Sequence, residues 1–296
     1  MREVAAKTIL SPYRQGWFGS QYNMNLYRGC CHGCIYCDSR SACYGISQFD
    51  QVRKKRNALE LLEGELRARR RTGVVMTGSM SDPYNPFEEQ ERITRGALEL
   101  FARYGYGVVV MTKSHLVERD IDLFLEIARH APVLVNVTVT TADDGLCRKL
   151  EPHAAVSSRR LAAVKALSDA GVPAGVLLMP VLPFLEDSVE NVRAVVERSA
   201  ASGACHVYNG GRNCFGVTLR QNQRAYFFEQ LDRLFPGLSG RYRAQFGQSY
   251  DCRSPNAAAL WRAYCGACED ARLAYRMEQI ARAMWKPYET DQISLF

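Results

Sequence analysis

The sequence predicts an α/β fold, a partial (β/α)6 barrel of TIM type followed by a C-terminal helical extension. Three observations predict it. Short apolar runs rich in β-formers alternate with helical patterns from about residue 20 to residue 218. Six such runs are present, which is too few for the eight units of a closed barrel. From about residue 220 onward the pattern is mainly helical.

The six predicted strands are near-continuous apolar runs, as expected for strands covered on both faces. They are YNMNLY at 22–27, GVVMTGSM at 73–80, GVVVMTKS at 107–114, PVLVNVTVTT at 132–141, PAGVLLMPVLPF at 173–184 and ACHVYN at 204–209. Single helices between them imply a parallel sheet with right-handed crossovers. Sites in such folds lie at the C-terminal ends of the strands, so the residues that follow each strand are the candidates.

Helical periodicity fills the segments between the strands and dominates the C-terminal part. The predicted helices are 56–70, 88–104, 119–130, 157–171, 187–203, 221–235 and 256–285. We expect a barrel core over residues 1–218, a helical cap over 219–285 and an exposed tail over 286–296.

Composition predicts a soluble globular protein. The chain has 296 residues, 47% of them hydrophobic and 23% charged, and its sequence has no apolar run long enough to span a membrane and no signal-peptide core. We therefore expect a cytoplasmic protein without a membrane partner. The net charge of +7 permits a nucleic-acid partner. The basic runs at 53–56 and 67–71 are either solvated helix faces or phosphate contacts.

Eleven cysteines is a high count for this length. In a reducing compartment they favour metal binding or redox chemistry over disulfides. Cys30, Cys34 and Cys37 form C-x3-C-x2-C directly after the first predicted strand. Short loops of this kind hold iron–sulfur clusters, although a zinc site or unrelated buried thiols are the alternatives. Cys31 falls outside the spacing, and we expect His32 to hydrogen-bond within the loop.

The cysteine spacing resembles the cluster motif of radical S-adenosylmethionine (SAM) enzymes. Further segments resemble one branch, the spore photoproduct lyase-like proteins, which are often labelled DNA repair photolyases. These segments are LYRGC with GCIYCDSR, then TGSMSDPY, TKS, VTVTT with a following EP, GVLLMPVLPF and FGVTLR. The resemblance extends from about residue 20 to the C-terminus.

The resemblance implies two cofactors, a [4Fe-4S] cluster and S-adenosyl-L-methionine. Three thiolates on a four-iron cluster leave one iron open, and in the family SAM chelates that iron. An electron then releases a 5′-deoxyadenosyl radical. We also expect an external electron donor of the flavodoxin or ferredoxin type.

The resemblance also implies the cofactor-binding residues. Tyr36 stands where the family places an aromatic residue beside the adenine. The loop 77–82, with Gly78, Ser79 and Met80, is expected to bind the amino group of SAM. Lys113 is expected to meet the SAM carboxylate, unless it is a surface lysine. The remaining candidates are Thr138 and Thr140 for the ribose or carboxylate, and Leu177 and Met179 beside the adenine. Strand propensity explains the threonines equally well, and core packing explains the methionine.

Ser79 departs from the family pattern. Spore photoproduct lyases carry a cysteine in this loop as a hydrogen-atom donor, and an O–H bond is too strong to replace S–H. Cys43, Cys147, Cys205 or Cys214 could substitute. We therefore expect a radical SAM enzyme of lyase type that acts on DNA by another route. The alternatives are a radical SAM enzyme acting on protein, peptide or RNA, and a non-catalytic iron–sulfur protein associated with DNA or a sliding clamp.

Two C-terminal features lead to separate hypotheses. Cys252, Cys265 and Cys268 could hold a second metal, with Cys205 or Cys214, or could pack in the core, since Cys265 and Cys268 share a helix face. Residues Gln292–Phe296 resemble the bacterial sliding-clamp-binding motif, with the alternative that Leu295 and Phe296 dock on their own domain.

Overall fold

The computed structural model describes residues 1–14, 16–212 and 214–289. The sliding-clamp motif predicted at Gln292–Phe296 lies outside the described residues, and it stays a prediction. Within the described part of the chain, no helix combines the length and the hydropathy needed to cross a membrane.

Twelve strands are present in the described residues. In chain order they are β1 (Arg2–Val4), β2 (Leu10–Pro12), β3 (Tyr22–Met24), β4 (Tyr27–Arg28), β5 (Arg53–Lys55), β6 (Val74–Thr77), β7 (Gly107–Thr112), β8 (Val133–Thr138), β9 (Ala174–Leu177), β10 (Val207–Tyr208), β11 (Gly216–Thr218) and β12 (Asp251–Arg253). The central sheet has seven strands in the order β10-β9-β8-β7-β6-β3-β2.

The central sheet confirms the predicted six parallel strands. β3, β6, β7, β8, β9 and β10 pair in parallel, with Val109 opposite Leu134 in the β7–β8 register, and β2 adds an antiparallel edge. The described strands of this sheet do not close into a ring by hydrogen bonds. The first predicted strand divides in two, because β4 leaves the central sheet and pairs with β5.

Helices cover the outer face of this sheet and extend beyond it. They are α1 (Ala58–Ala68), α2 (Glu88–Glu91), α3 (Ile93–Tyr104), α4 (Ile121–Ala128), α5 (Asp144–Leu150), α6 (Ser157–Asp169), α7 (Val189–Ala201), α8 (Gln223–Leu234), α9 (Leu238–Phe246), α10 (Ala257–Asp270) and α11 (Met277–Trp285). The helix predicted over 256–285 is thus two helices, α10 and α11. Its interruption includes Arg272, whose positive φ of 56° breaks the helical path.

Alternate residues of each strand serve two separate cores. Val75 packs in the outer core beneath the helices, whereas Val74 and Met76 point into the barrel interior. The interior also holds Phe18 and, from α11, Ile280 and Met284. The last helix therefore fills the inside of the open barrel.

The other C-terminal elements cover the cysteine loop. Ile35 and Tyr36 share a third apolar cluster with Phe227 of α8, Tyr242 of α9 and Cys252 of β12. This cover holds the loop against the end of the sheet. The predicted division at residues 218 and 285 stays a prediction.

Candidate active site

A cavity of about 860 Å³ opens at the C-terminal ends of the parallel strands. Its wall combines the cysteine loop, the segments that follow β6, β7, β8 and β9, and the β11–β12 ribbon. This is the position that the barrel architecture predicts for a site.

Three cysteines of the loop face this cavity and the fourth does not. Cys30, Cys34 and Cys37 line the wall, whereas Cys31 packs against the outer core. Burial raises the pKa of the Cys30 thiol to about 12, and burial likewise raises the pKa values of Cys34 and Cys37. Each of the three lies close enough to another for their charges to interact. Cysteine binds metal as the thiolate, so each thiol would release its proton on binding the cluster. Three clustered thiols fit the predicted iron–sulfur cluster.

Backbone conformation sets the path of the loop. Gly29 has a φ of +83°, and the Cys30 amide donates to the Phe49 carbonyl at 3.0 Å. Ser81, in the loop after β6, donates through its hydroxyl to the Gly29 carbonyl at 2.6 Å. The cysteine loop and the loop after β6 are thereby fixed to each other.

Asp82 organises the centre of this edge, and the sequence analysis did not single it out. Its carboxylate accepts the Thr112 hydroxyl and the Lys113 amide, both at 2.7 Å. The Nδ1 atom of His32 lies 3.4 Å from the same carboxylate. His32 therefore contacts the β6 loop through its side chain and the turn after α5 through its carbonyl, which accepts the His153 amide. One buried aspartate joins the ends of β6 and β7 to the cysteine loop.

The predicted residues after β6 all line the cavity. Gly78 has a φ of +98°, and a Cβ there would lie 2.0 Å from the Met111 carbonyl oxygen, so the position requires glycine. The Ser79 hydroxyl donates to Asn23 Oδ1 at 3.1 Å, and the Met80 amide donates to Asn25 Oδ1 at 3.3 Å. The segment around β3 therefore supports the loop that was predicted to bind SAM.

Lys113 is partly buried and lines the cavity wall. Its ammonium lies 5.7 Å from the centroid of the Tyr36 ring. Burial alone would lower the pKa of Lys113, but the charges of Cys34, when it is a thiolate, and of the Glu151 carboxylate raise it above its ordinary value. The ammonium is therefore positive at neutral pH and available to an anionic ligand.

The remaining predicted residues divide between wall and interior. Tyr36, Thr138, Leu177 and Met179 line the cavity. Thr140 is 1% exposed and lies outside the described wall, where its carbonyl accepts from Asn191 at 3.0 Å. The cofactor roles predicted for these side chains stay predictions.

The C-terminal cysteines do not share a site in the described residues. Cys252 lies in the cluster under α8 and α9, whereas Cys265 and Cys268 pack against the outer core on α10. Core packing, the alternative to a second metal site, accounts for all three. Cys214 is elsewhere again, in the cavity wall.

Several aromatic residues of the wall were missed by the sequence analysis. Tyr13 and Trp17 precede β3, the first parallel strand of the central sheet. Tyr44 follows the cysteine loop, and Tyr250 directly precedes β12. They lie outside the repeating β/α units, so hydrophobic periodicity gave no signal for them.

Comparison with known proteins identifies the family. The model of the Radical SAM superfamily matches residues 24–195. An uncharacterised protein of Mycobacterium tuberculosis is 35% identical over 232 residues, which are 75% of this chain and 66% of the relative. An uncharacterised protein of Methanocaldococcus jannaschii is 29% identical over 188 residues, 62% of this chain and 69% of that relative. The chain therefore spans slightly less than two thirds of the mycobacterial protein.

Solved structures show the same fold. A spore photoproduct lyase complexed with dinucleoside spore photoproduct has a TM-score of 0.65 at 16% identity, covering 93% of this chain and 81% of that chain. A mutant spore photoproduct lyase with bound AdoMet and the dinucleoside has a TM-score of 0.63 at 17% identity, covering 87% and 76%. With the family model matching more than half of its length, the chain belongs to the radical SAM superfamily and has a fold like that of spore photoproduct lyase.

Proposed function

We propose that this radical SAM enzyme acts on DNA and holds one base or two bases in the cavity beside the cofactors. The observation that carries this proposal is the aromatic lining of the cavity, at Tyr13, Trp17, Tyr44 and Tyr250. Flat aromatic side chains are the usual stacking partners of unpaired bases.

Positive charge accompanies one of these aromatic residues. Tyr250 is 47% exposed, and the Arg220 guanidinium lies 5.1 Å from the centroid of its ring. Arg220 also pairs with Asp38 at 3.1 Å, which fixes its position beside the ring. A stacked base would have its phosphate near this arginine, so the pair suits a nucleotide better than an apolar peptide side chain.

Members of the superfamily use a [4Fe-4S] cluster and S-adenosylmethionine, which together supply a 5′-deoxyadenosyl radical when bound. In this chain we assign the cluster to Cys30, Cys34 and Cys37. Lys113 would neutralise the SAM carboxylate, and Tyr36 would flank the adenine. The cover formed by α8 and α9 would exclude water from the loop side of the cavity.

We propose that the reaction does not use a cysteine of the β6 loop as its hydrogen-atom donor. Ser79 lines the cavity, and its strong O–H bond, engaged with Asn23, is a poor source of hydrogen atoms. Of the four cysteines named as substitutes, Cys214 lines the cavity and the other three do not. Cys147 is buried on α5, whereas Cys43 and Cys205, which precedes β10, are exposed. Lyase chemistry, the electron donor and clamp binding stay predictions.

The proposal predicts that Tyr250→Ala weakens binding of a single-stranded DNA oligonucleotide. Stacking of one base contributes about 1–3 kcal/mol, so affinity should fall by about 5- to 150-fold. Fluorescence anisotropy with a labelled oligonucleotide would measure it over a series of salt concentrations, because phosphate contacts make binding salt-dependent.

Phe87→Ala is the matched control, since Phe87 is 44% exposed and lies outside the cavity wall. It should bind DNA like the unaltered protein. Equal losses in both variants, binding that ignores salt, or tighter binding of RNA of the same sequence would contradict the proposal of a DNA substrate.

A further inference from the structure

A segment distant in sequence packs against the cysteine loop and is hydrogen-bonded to it. The Ile35 amide donates to the Leu150 carbonyl, and the His153 amide donates to the His32 carbonyl, both at 3.0 Å. A Cβ on Gly33 would lie 3.0 Å from the His153 ring, so the two segments are in close contact. The turn after α5 therefore forms the base on which the cysteine loop lies.

A buried ion pair stands at the centre of this base. Glu151 is 1% exposed and Arg160, on α6, is 0% exposed, and the guanidinium donates directly to the carboxylate. The same carboxylate accepts the hydroxyl of Tyr36, the residue between Ile35 and Cys37. Glu151 thus joins the cysteine loop to α6 through two charge-assisted hydrogen bonds.

Arg160 extends the link to the cavity wall. Its Nη1 donates to the Thr138 carbonyl at 2.9 Å, at the end of β8, and its Nε donates to the Ala155 carbonyl at 2.6 Å. The guanidinium therefore joins a cavity-lining strand end to the carboxylate that holds Tyr36.

A buried pair of this kind is a costly way to gain stability. Removing both charges from water offsets much of their attraction, and apolar residues of similar size often stabilise a fold as well. The pair is fully satisfied here, and its partners converge on the loop that carries three candidate cluster thiols. These features indicate that it specifies geometry rather than adding net stability.

We propose that Glu151 and Arg160 are positioning residues, which hold Tyr36 and the Cys30–Cys37 loop in the arrangement that the iron–sulfur cluster requires. Their side-chain contact with the loop is made through Tyr36, and neither residue lines the cavity. The inference concerns the cluster and does not depend on the proposed DNA substrate.

The test compares Glu151→Gln with Glu118→Gln. Glu118 pairs with Arg159, the neighbour of Arg160 on α6. That pair is partly exposed, with 41% of the Arg159 side chain and 26% of the Glu118 side chain accessible. Each variant would be reconstituted anaerobically, and its iron content, electron paramagnetic resonance spectrum and cluster midpoint potential would be measured without substrate.

Glu151→Gln is expected to alter the spectrum and to shift the midpoint potential to a more positive value, because it leaves the positive charge of Arg160 uncompensated near the cluster. Glu118→Gln is expected to change neither. A folded Glu151→Gln protein with the native spectrum and potential would overturn the proposal.

Tyr36→Phe provides a second route to the same answer, since it removes only the hydroxyl and keeps the ion pair, so the fold does not have to tolerate an unpaired buried charge. We expect it to change the spectrum of the reduced cluster and to leave the melting temperature of the metal-free protein within a few degrees. An unchanged spectrum in Tyr36→Phe would overturn the proposed link even if Glu151→Gln failed to fold.

Discussion

Cys30→Ala is expected to abolish binding of the iron–sulfur cluster, whereas Cys31→Ala is expected to retain it. The two residues are adjacent in the chain, but Cys30 lines the cavity with Cys34 and Cys37, and Cys31 packs against the outer core. With two thiolates left, the loop cannot supply the three ligands that leave one iron open for SAM. Iron and sulfide content after anaerobic reconstitution, with the visible absorbance of the cluster, would measure the difference.

The same pair of variants separates loss of a ligand from loss of the fold. Cys31→Ala makes the same side-chain change as Cys30→Ala at the neighbouring, partly buried position, so it controls for general damage to the loop. Cluster-dependent cleavage of SAM to 5′-deoxyadenosine should follow cluster content in both proteins. A cluster that survives Cys30→Ala and disappears in Cys31→Ala would reverse the assignment of ligands.

Lys113→Met is expected to weaken SAM binding by about 10- to 150-fold. A hydrogen bond to a charged group contributes about 1.5–3 kcal/mol, and methionine keeps the length of the side chain without the charge. Lys113 faces the cavity, and its positive charge is supported by Glu151 and by the thiolates of the loop. Equilibrium binding of SAM to the cluster-loaded protein would give the dissociation constant.

Lys165→Met is the control for this measurement, because Lys165 pairs with Asp169 on the exposed face of α6 and its side chain is 60% exposed. It should bind SAM with unchanged affinity. If Lys113→Met also leaves the affinity unchanged while the cluster is fully loaded, Lys113 does not meet the SAM carboxylate. If cluster content falls as well, its charge instead supports the thiolates.

Much of the fold could be predicted because its signals are local. Runs such as GVVMTGSM and GVVVMTKS are buried on both faces, and their length and composition identify strands without knowledge of their partners. The order of the six parallel strands then follows largely from the short crossovers between them. The exceptions are local breaks: β4 leaves the central sheet to pair with β5, and Arg272 lies within the interruption that divides the last predicted helix into α10 and α11.

The candidate site was only partly predictable, for a related reason. The sequence by itself determined the three cavity thiols, the glycine that the β6 loop needs and the lysine after β7, since each lies within a few residues of a strand end. The tertiary structure alone decided which residues meet across long sequence distances. Asp82 joins His32 to Lys113, Glu151 joins Tyr36 to Arg160, and Tyr250 comes to the cavity that Trp17 also lines. Such contacts have no periodic signal, because they are set by the packing of whole elements rather than by the conformation of any one segment.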